Sequence, residues 1–154
     1  MKILILSDSH GEQRYMEEAI SREQPDQILH LGDRQRDGER LHKNFPHIPF
    51  LAVPGNCDIG ATDLPILLPE FCGCRFFVTH GHLHNVKYGL LRLSLAAREA
   101  GAQVAVFGHT HSACCERVDG LTLLNPGAAG GGRPSYGVVE LTKGQTPVCR
   151  IEYL

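Results

Sequence analysis

Apolar residues arrive in short bursts along this chain, and each burst gives way at once to glycine and polar residues. Ile3 to Leu6, Gln27 to Leu31, Pro49 to Val53, Arg75 to Val78 and Val104 to Phe107 are brief and rich in Ile, Leu, Val or Phe, the pattern of buried strands. Helical periodicities run between them. Residues 12 to 23 place Tyr15, Met16, Ala19 and Ile20 on one face, with Pro25 as the stop. A shorter helix is predicted from about Gly38 to Phe45, with Leu41 and Phe45 one turn apart ahead of Pro46. A third covers Tyr88 to Ala100, where Leu91 and Leu95 stand four apart beside small alanines and Gly101 ends the run.

Strand, helix, strand repeats predict parallel pairing. After Gly108 the pattern changes: Ala113 to Val118 and Leu121 to Leu124 flank Asp119 and Gly120, a dipeptide suited to a two-residue hairpin turn. Tyr136 to Leu141 and Val148 to Tyr153 flank a loop containing Gly144. The expected fold class is therefore α/β, a two-sheet mixed β-sandwich flanked by helices, as a single domain over residues 1–154.

Composition narrows the function classes. At 154 residues, 42% hydrophobic and 21% charged, the chain can fill one core and not two. The formal net charge of −2 gives no global basic field, so a long nucleic acid is not an expected partner. No stretch reaches the roughly 18 apolar residues of a membrane span, and the amino terminus does not read as a signal peptide. A soluble, cytoplasmic protein is expected, with no membrane partner. The six cysteines fit free thiols better than a disulfide framework.

The polar residues that end the apolar bursts are metal-ligand types. Asp8, Ser9 and His10 follow the first, Gly32 and Asp33 the second, and Gly55, Asn56, Cys57 and Asp58 the third. Thr79, His80, Gly81 and His82 follow the fourth, and Gly108, His109, Thr110 and His111 the fifth. In an open α/β sheet the loops leaving the carboxyl ends of the strands gather on one edge, so these residues can converge. Asp8 and His10 are two apart, as are His109 and His111, a spacing that points both side chains of an extended pair the same way. A buried carboxylate without a partner is costly, and a cation removes that cost.

The ordered set resembles the calcineurin-like metallophosphoesterases, and within them the small single-domain phosphodiesterase branch, from residue 3 to about residue 139, including Asn125, Pro126 and Gly127. The resemblance implies two divalent transition-metal ions, with manganese the first candidate and iron, nickel, cobalt or zinc also suited to a mixed imidazole, carboxylate and amide set. It implies Asp8, His10 and His111 on one ion, Asn56, His80 and His109 on the other, and Asp33 between them. The implied reaction is hydrolysis of a small phosphodiester by a metal-bridging hydroxide, with Asp33, Asn56, Cys57 and His82 nearest the chemistry. A small phosphate ester is the expected partner, and self-association into a homo-oligomer is left open.

Several positions carry competing readings. Cys57 stands where many relatives have His, and a thiol is a poorer acid for an alkoxide leaving group than an imidazolium. Asp58 reads as an exposed turn carboxylate, or as a tether for its loop or for an imidazole. Arg34, Gln35, Arg36 and Asp37 read as a solvated charged turn, against a phosphate-contacting loop. Ala128 stands where serine is usual. His82 is a substrate contact or a merely exposed rim residue, and His84 has less support. His30, inside a strand, reads as structural; His42 and His47 read as surface residues. Gly130 to Gly132 read as a mobile loop near the active edge, with Arg133 exposed or meeting phosphate. The rival function is a noncatalytic protein-binding scaffold similar to the retromer subunit that shares this fold, and a third reading is simple metal storage.

Overall fold

The computed structural model describes residues 1–154, and its strands divide their side chains between two cores by simple alternation. In β1 (Lys2–Leu6), Ile3 and Ile5 face one apolar cluster, whereas Leu4 and Leu6 face another. β2 (Gln27–His30) sends Ile28 outward and Leu29 inward in the same way. In the second sheet β6 (Cys74–Thr79) and β7 (Val104–Val106) turn Phe76, Val78, Val104 and Val106 toward the shared inner core, and Phe77 and Ala105 toward a third cluster. Strands buried on both faces are why these segments read as continuous apolar runs.

The inner core lies between two mixed sheets. One has the order β11-β10-β1-β2-β3, with β3 Phe50–Ala52, β10 Ser135–Glu140 and β11 Val148–Tyr153. The other runs β4-β6-β7-β9-β8, with β4 Ile66–Leu67, β8 Cys114–Val118 and β9 Leu121–Asn125; β5 (Glu70–Phe71) forms a small hairpin with β6. β1, β2 and β3 are parallel, as are β6, β7 and β9. Asp119 and Gly120 join β8 to β9 with positive φ at both residues (47° and 83°), the geometry a two-residue hairpin demands. The two-residue strands β4 and β5 carry too little periodicity to be read from sequence.

Helices α1 (Gln13–Glu23) and α2 (Gln35–Asn44) cover the outer face of the first sheet, burying Met16, Ala19, Ile20 and Leu41. α2 starts three residues earlier than the periodicity predicts, because the carboxylate of Asp58 accepts the N–H groups of Arg34 and Gln35 and so caps the helix from a distant loop. α3 (Leu91–Glu99) covers the second sheet, but not by the predicted face. Leu93 and Ala97 are fully buried, while Leu91 and Leu95 remain 71% and 58% exposed. Two 3₁₀ turns, His82–His84 and Val86–Tyr88, precede this helix, and the stripe through Leu90, Leu93, Ala97 and Ala100 packs inward.

Candidate metal centre

The loops leaving β1, β2, β3, β6 and β7 meet on one edge, stitched together through their backbones. Asp8 N–H donates to the Gly32 carbonyl at 3.1 Å, and Gly108 N–H donates to the His80 carbonyl at 3.0 Å. Asn125, at the end of β9, donates to the Gly108 carbonyl at 2.9 Å and to Thr110 Oγ1 at 3.0 Å. The chain bends sharply here: Asp8, His10, Asp33, Arg34, His109 and His111 all have positive φ, between 49° and 79°. Left-handed backbone at a non-glycine residue costs about 1–3 kcal/mol, and it persists where surrounding structure over-determines it.

Two groups of donors result. In the first, one donor atom each from Asp8, His10 and His111 all lie within 4.8 Å of one another. Asp8 is fully buried; its Oδ2 accepts from Ser7 Oγ at 2.6 Å and from His109 N–H at 3.2 Å. Its Oδ1 lies 3.0 Å from His111 Nε2 without the alignment of a hydrogen bond, so this buried oxygen has no donor. His111 Nε2 is also 3.4 Å from His10 Nε2.

The second group is Asp33, His80 and His109, within the same span, with Asn56 beside it. His80 Nδ1 is 2.7 Å from the Leu31 carbonyl. A carbonyl only accepts, so that nitrogen carries a proton and Nε2 is the ring atom turned toward the other donors. Around Nε2 stand Asn56 Oδ1 at 3.2 Å, His109 Nδ1 at 3.2 Å and Asp33 Oδ1 at 3.5 Å. Nitrogen and oxygen donors crowded this closely are held together by shared protons or by a cation among them. A divalent ion would bond several of these donors at once, and mixed imidazole, carboxylate and amide donors suit transition metals.

The electrostatics agree. Burial alone would raise the Asp33 pKa, but the Cys57 N–H, at 2.9 Å, and neighbouring His80 bring it below the ordinary carboxylate value. Burial, reinforced by His80, lowers the pKa of His109 and of His82, so both rings are held neutral with lone pairs available. The Cys57 thiol is pushed the other way, upward, first by its hydrogen bond to the Asp33 carboxylate, which keeps it protonated.

The remaining candidates fall at different distances from this centre. His82 is half-buried, its ring centroid 5.4 Å from that of His80 and 6.1 Å from that of His109, and its Nδ1 has no partner. Cys57 is exposed beside Asn56. Asp58 is not a free turn carboxylate: besides the two α2 amides it accepts Gly55 N–H at 2.8 Å, tying the Asp33 and Asn56 loops together. The 34–37 segment is solvated only in part: Arg34 and Arg36 are exposed, whereas Gln35 to Asp37 form the first turn of α2 and Asp37 is buried. Arg133 lies over the Tyr153 ring at 4.1 Å, and Gly130 packs on the Ser9 carbonyl, where a Cβ would come within 2.3 Å. His30 is fully buried beneath α2, with its Nδ1 accepting Gly32 N–H at 3.3 Å, as a structural role requires; His42 and His47 are exposed. Sequence reasoning gave Ser7 no role and read Asp37 only as part of a charged segment, because a serine at a strand end and an acid within a charged run give no periodic signal.

Comparison with known proteins agrees with this geometry. The family model described as the calcineurin-like phosphoesterase superfamily domain matches residues 1–144. The probable metallophosphoesterase YsnB of Bacillus subtilis is 37% identical over 131 residues, covering 83% of this chain and 75% of that protein. The phosphodiesterase MJ0936 of Methanocaldococcus jannaschii is 29% identical over 168 residues, covering 93% and 95%. The solved structure of Vps29 from Entamoeba histolytica, complexed with zinc, superposes with a TM-score of 0.78 over 99% of each chain at 17% identity, a likeness of fold alone.

Proposed function

The chain belongs to the calcineurin-like phosphoesterase superfamily, and on that premise we propose that it is a two-metal phosphodiesterase acting on small phosphodiesters. The observation that carries this reading is the convergence of nitrogen and oxygen donors around His80 Nε2, together with the orphaned buried oxygen Asp8 Oδ1 of the other donor group. Asp8, His10 and His111 would hold one ion, Asn56, His80 and His109 the other, with Asp33 shared. Manganese is the first candidate and iron, nickel, cobalt or zinc the alternatives. When bound, such a pair supplies positive charge to the phosphate oxygens and brings the pKa of a shared water near neutrality, generating the nucleophile.

The protein's own part is positioning. The Leu31 carbonyl fixes the tautomer and tilt of His80, as Ser7 and the His109 amide fix Asp8. Asp58 keeps the Asn56 and Asp33 loops in one register. His82, half-buried with its ring centroid 6.1 Å from that of His109, would be a substrate contact at the rim. Cys57, held as a thiol, offers its proton weakly to a leaving group. Purified protein supplied with Mn should hydrolyse an activated aryl phosphodiester, and Asp33→Asn should abolish the activity; no turnover with any of the five metals would reject the reading.

A second reading keeps the metal and loses the reaction. The likeness in fold to Vps29, together with the exposed apolar residues Leu83, Tyr88, Leu91 and Leu95 on one continuous segment, supports a noncatalytic scaffold that recruits a protein partner. Bound metal without turnover on any diester would favour it.

A further inference from the structure

Among the donor residues His10 has the least support of its own. Its side chain is exposed and its backbone is left-handed, with φ of 49°. Yet the residues on either side are fastened to a single atom: Ser9 Oγ and Gly11 N–H both donate to Asp37 Oδ2, each at 2.8 Å. Asp37 is 7% exposed and sits in the first turn of α2, an element that supplies no metal donor. A carboxylate this deeply placed needs partners, and both partners of Oδ2 come from the bend that carries His10 rather than from its own helix. Gly130 closes the bend from the other side against the Ser9 carbonyl.

We propose that Asp37 is a positioning residue for metal binding, holding the Ser9–Gly11 bend so that His10 stays in reach of Asp8 and His111. The inference rests on the two-metal reading above. It is specific to one donor group, because the other has its own anchor in the Leu31 carbonyl on His80. Since both bonds end on one oxygen, the amide oxygen of Asn can accept both, whereas Ala can accept neither.

The test uses Mn(II) alone as the probe, by equilibrium dialysis, in two backgrounds. With His109→Ala, leaving the Asp8, His10 and His111 group intact, Asp37→Ala should weaken Mn binding by about 10- to 100-fold, and Asp37→Asn should stay within about threefold of the parent. With His10→Ala, leaving only the other group intact, Asp37→Ala should change binding by less than about twofold. Unaltered affinity in the first background, equal weakening in both, or an Asn variant as weak as Ala would overturn the proposal. Should Asp37→Ala not fold, Ser9→Ala removes one of the two ties and is scored in the same backgrounds, with a smaller loss confined to the first. Wild-type protein that binds no Mn would instead bring down the two-metal reading itself.

Discussion

Nδ1 of His109 stands 3.2 Å from Nε2 of His80, whose other ring nitrogen already donates to the Leu31 carbonyl. His80 Nε2 and His109 Nδ1 therefore face each other at hydrogen-bond distance, where a ring proton of His109 or a cation can join them. With Asp33 and Asn56 oxygens at the same spot, this pair defines where positive charge belongs.

Glycine at position 55 is required by that spot. A Cβ there would lie 2.1 Å from Asp33 Oδ1 and 2.4 Å from the Asp33 backbone nitrogen, so Asp33 must be displaced to admit it. Gly55→Ala should lower stability by about 1–3 kcal/mol and cut both metal affinity and turnover. Gly132→Ala, which meets nothing within 4 Å, is the control and should be silent in thermal melts and assays.

The packing of α3 separates two leucines that look equivalent in sequence. Leu93→Ala should destabilise by about 2–5 kcal/mol, whereas Leu95→Ala should stay within about 0.5 kcal/mol. Urea denaturation of both variants checks this, and a larger loss at Leu95 would contradict the observed phase of the helix.

His30 makes stability depend on pH. Burial lowers its pKa from 6.5 to about 4, so the folded protein keeps it neutral while the unfolded chain begins to take up a proton near 6.5. Its contribution is complete above that value and is lost as pH falls toward 4, a total of about 3 kcal/mol. In metal-free protein, His30→Gln should flatten the fall in unfolding free energy between pH 7 and 5; equal slopes in the two proteins would refute it.

Replacing the thiol at the rim tests the leaving-group step. Cys57 is held protonated beside Asp33 and is a weak acid for an alkoxide, so Cys57→His should retain or raise diester hydrolysis, most of all for poor leaving groups. Complete loss of rate with metal still bound would contradict the assignment.

Much of the fold was legible in the sequence because strands buried on both faces leave uninterrupted apolar runs, and Asp119–Gly120 names its own turn. The phase of α3 was not, since its sequence offers two apolar stripes and the one through Leu93 and Ala97 is the one that packs inward. In the candidate site, the donors stood out because Asp and His recur at strand ends. Asp37 and Asp58 did not, because their partners are backbone amides and a serine remote in sequence, and a charged run containing an acid looks the same whether it is solvated or buried.

The metal content of the native protein tests the central claim most directly. Elemental analysis of protein purified without chelator, paired with anomalous scattering from crystals, should find two transition ions per chain, one at Asp8, His10 and His111 and one at Asn56, His80 and His109, with Asp33 shared. Protein that holds no stoichiometric transition ion, even after dialysis against Mn, would contradict it.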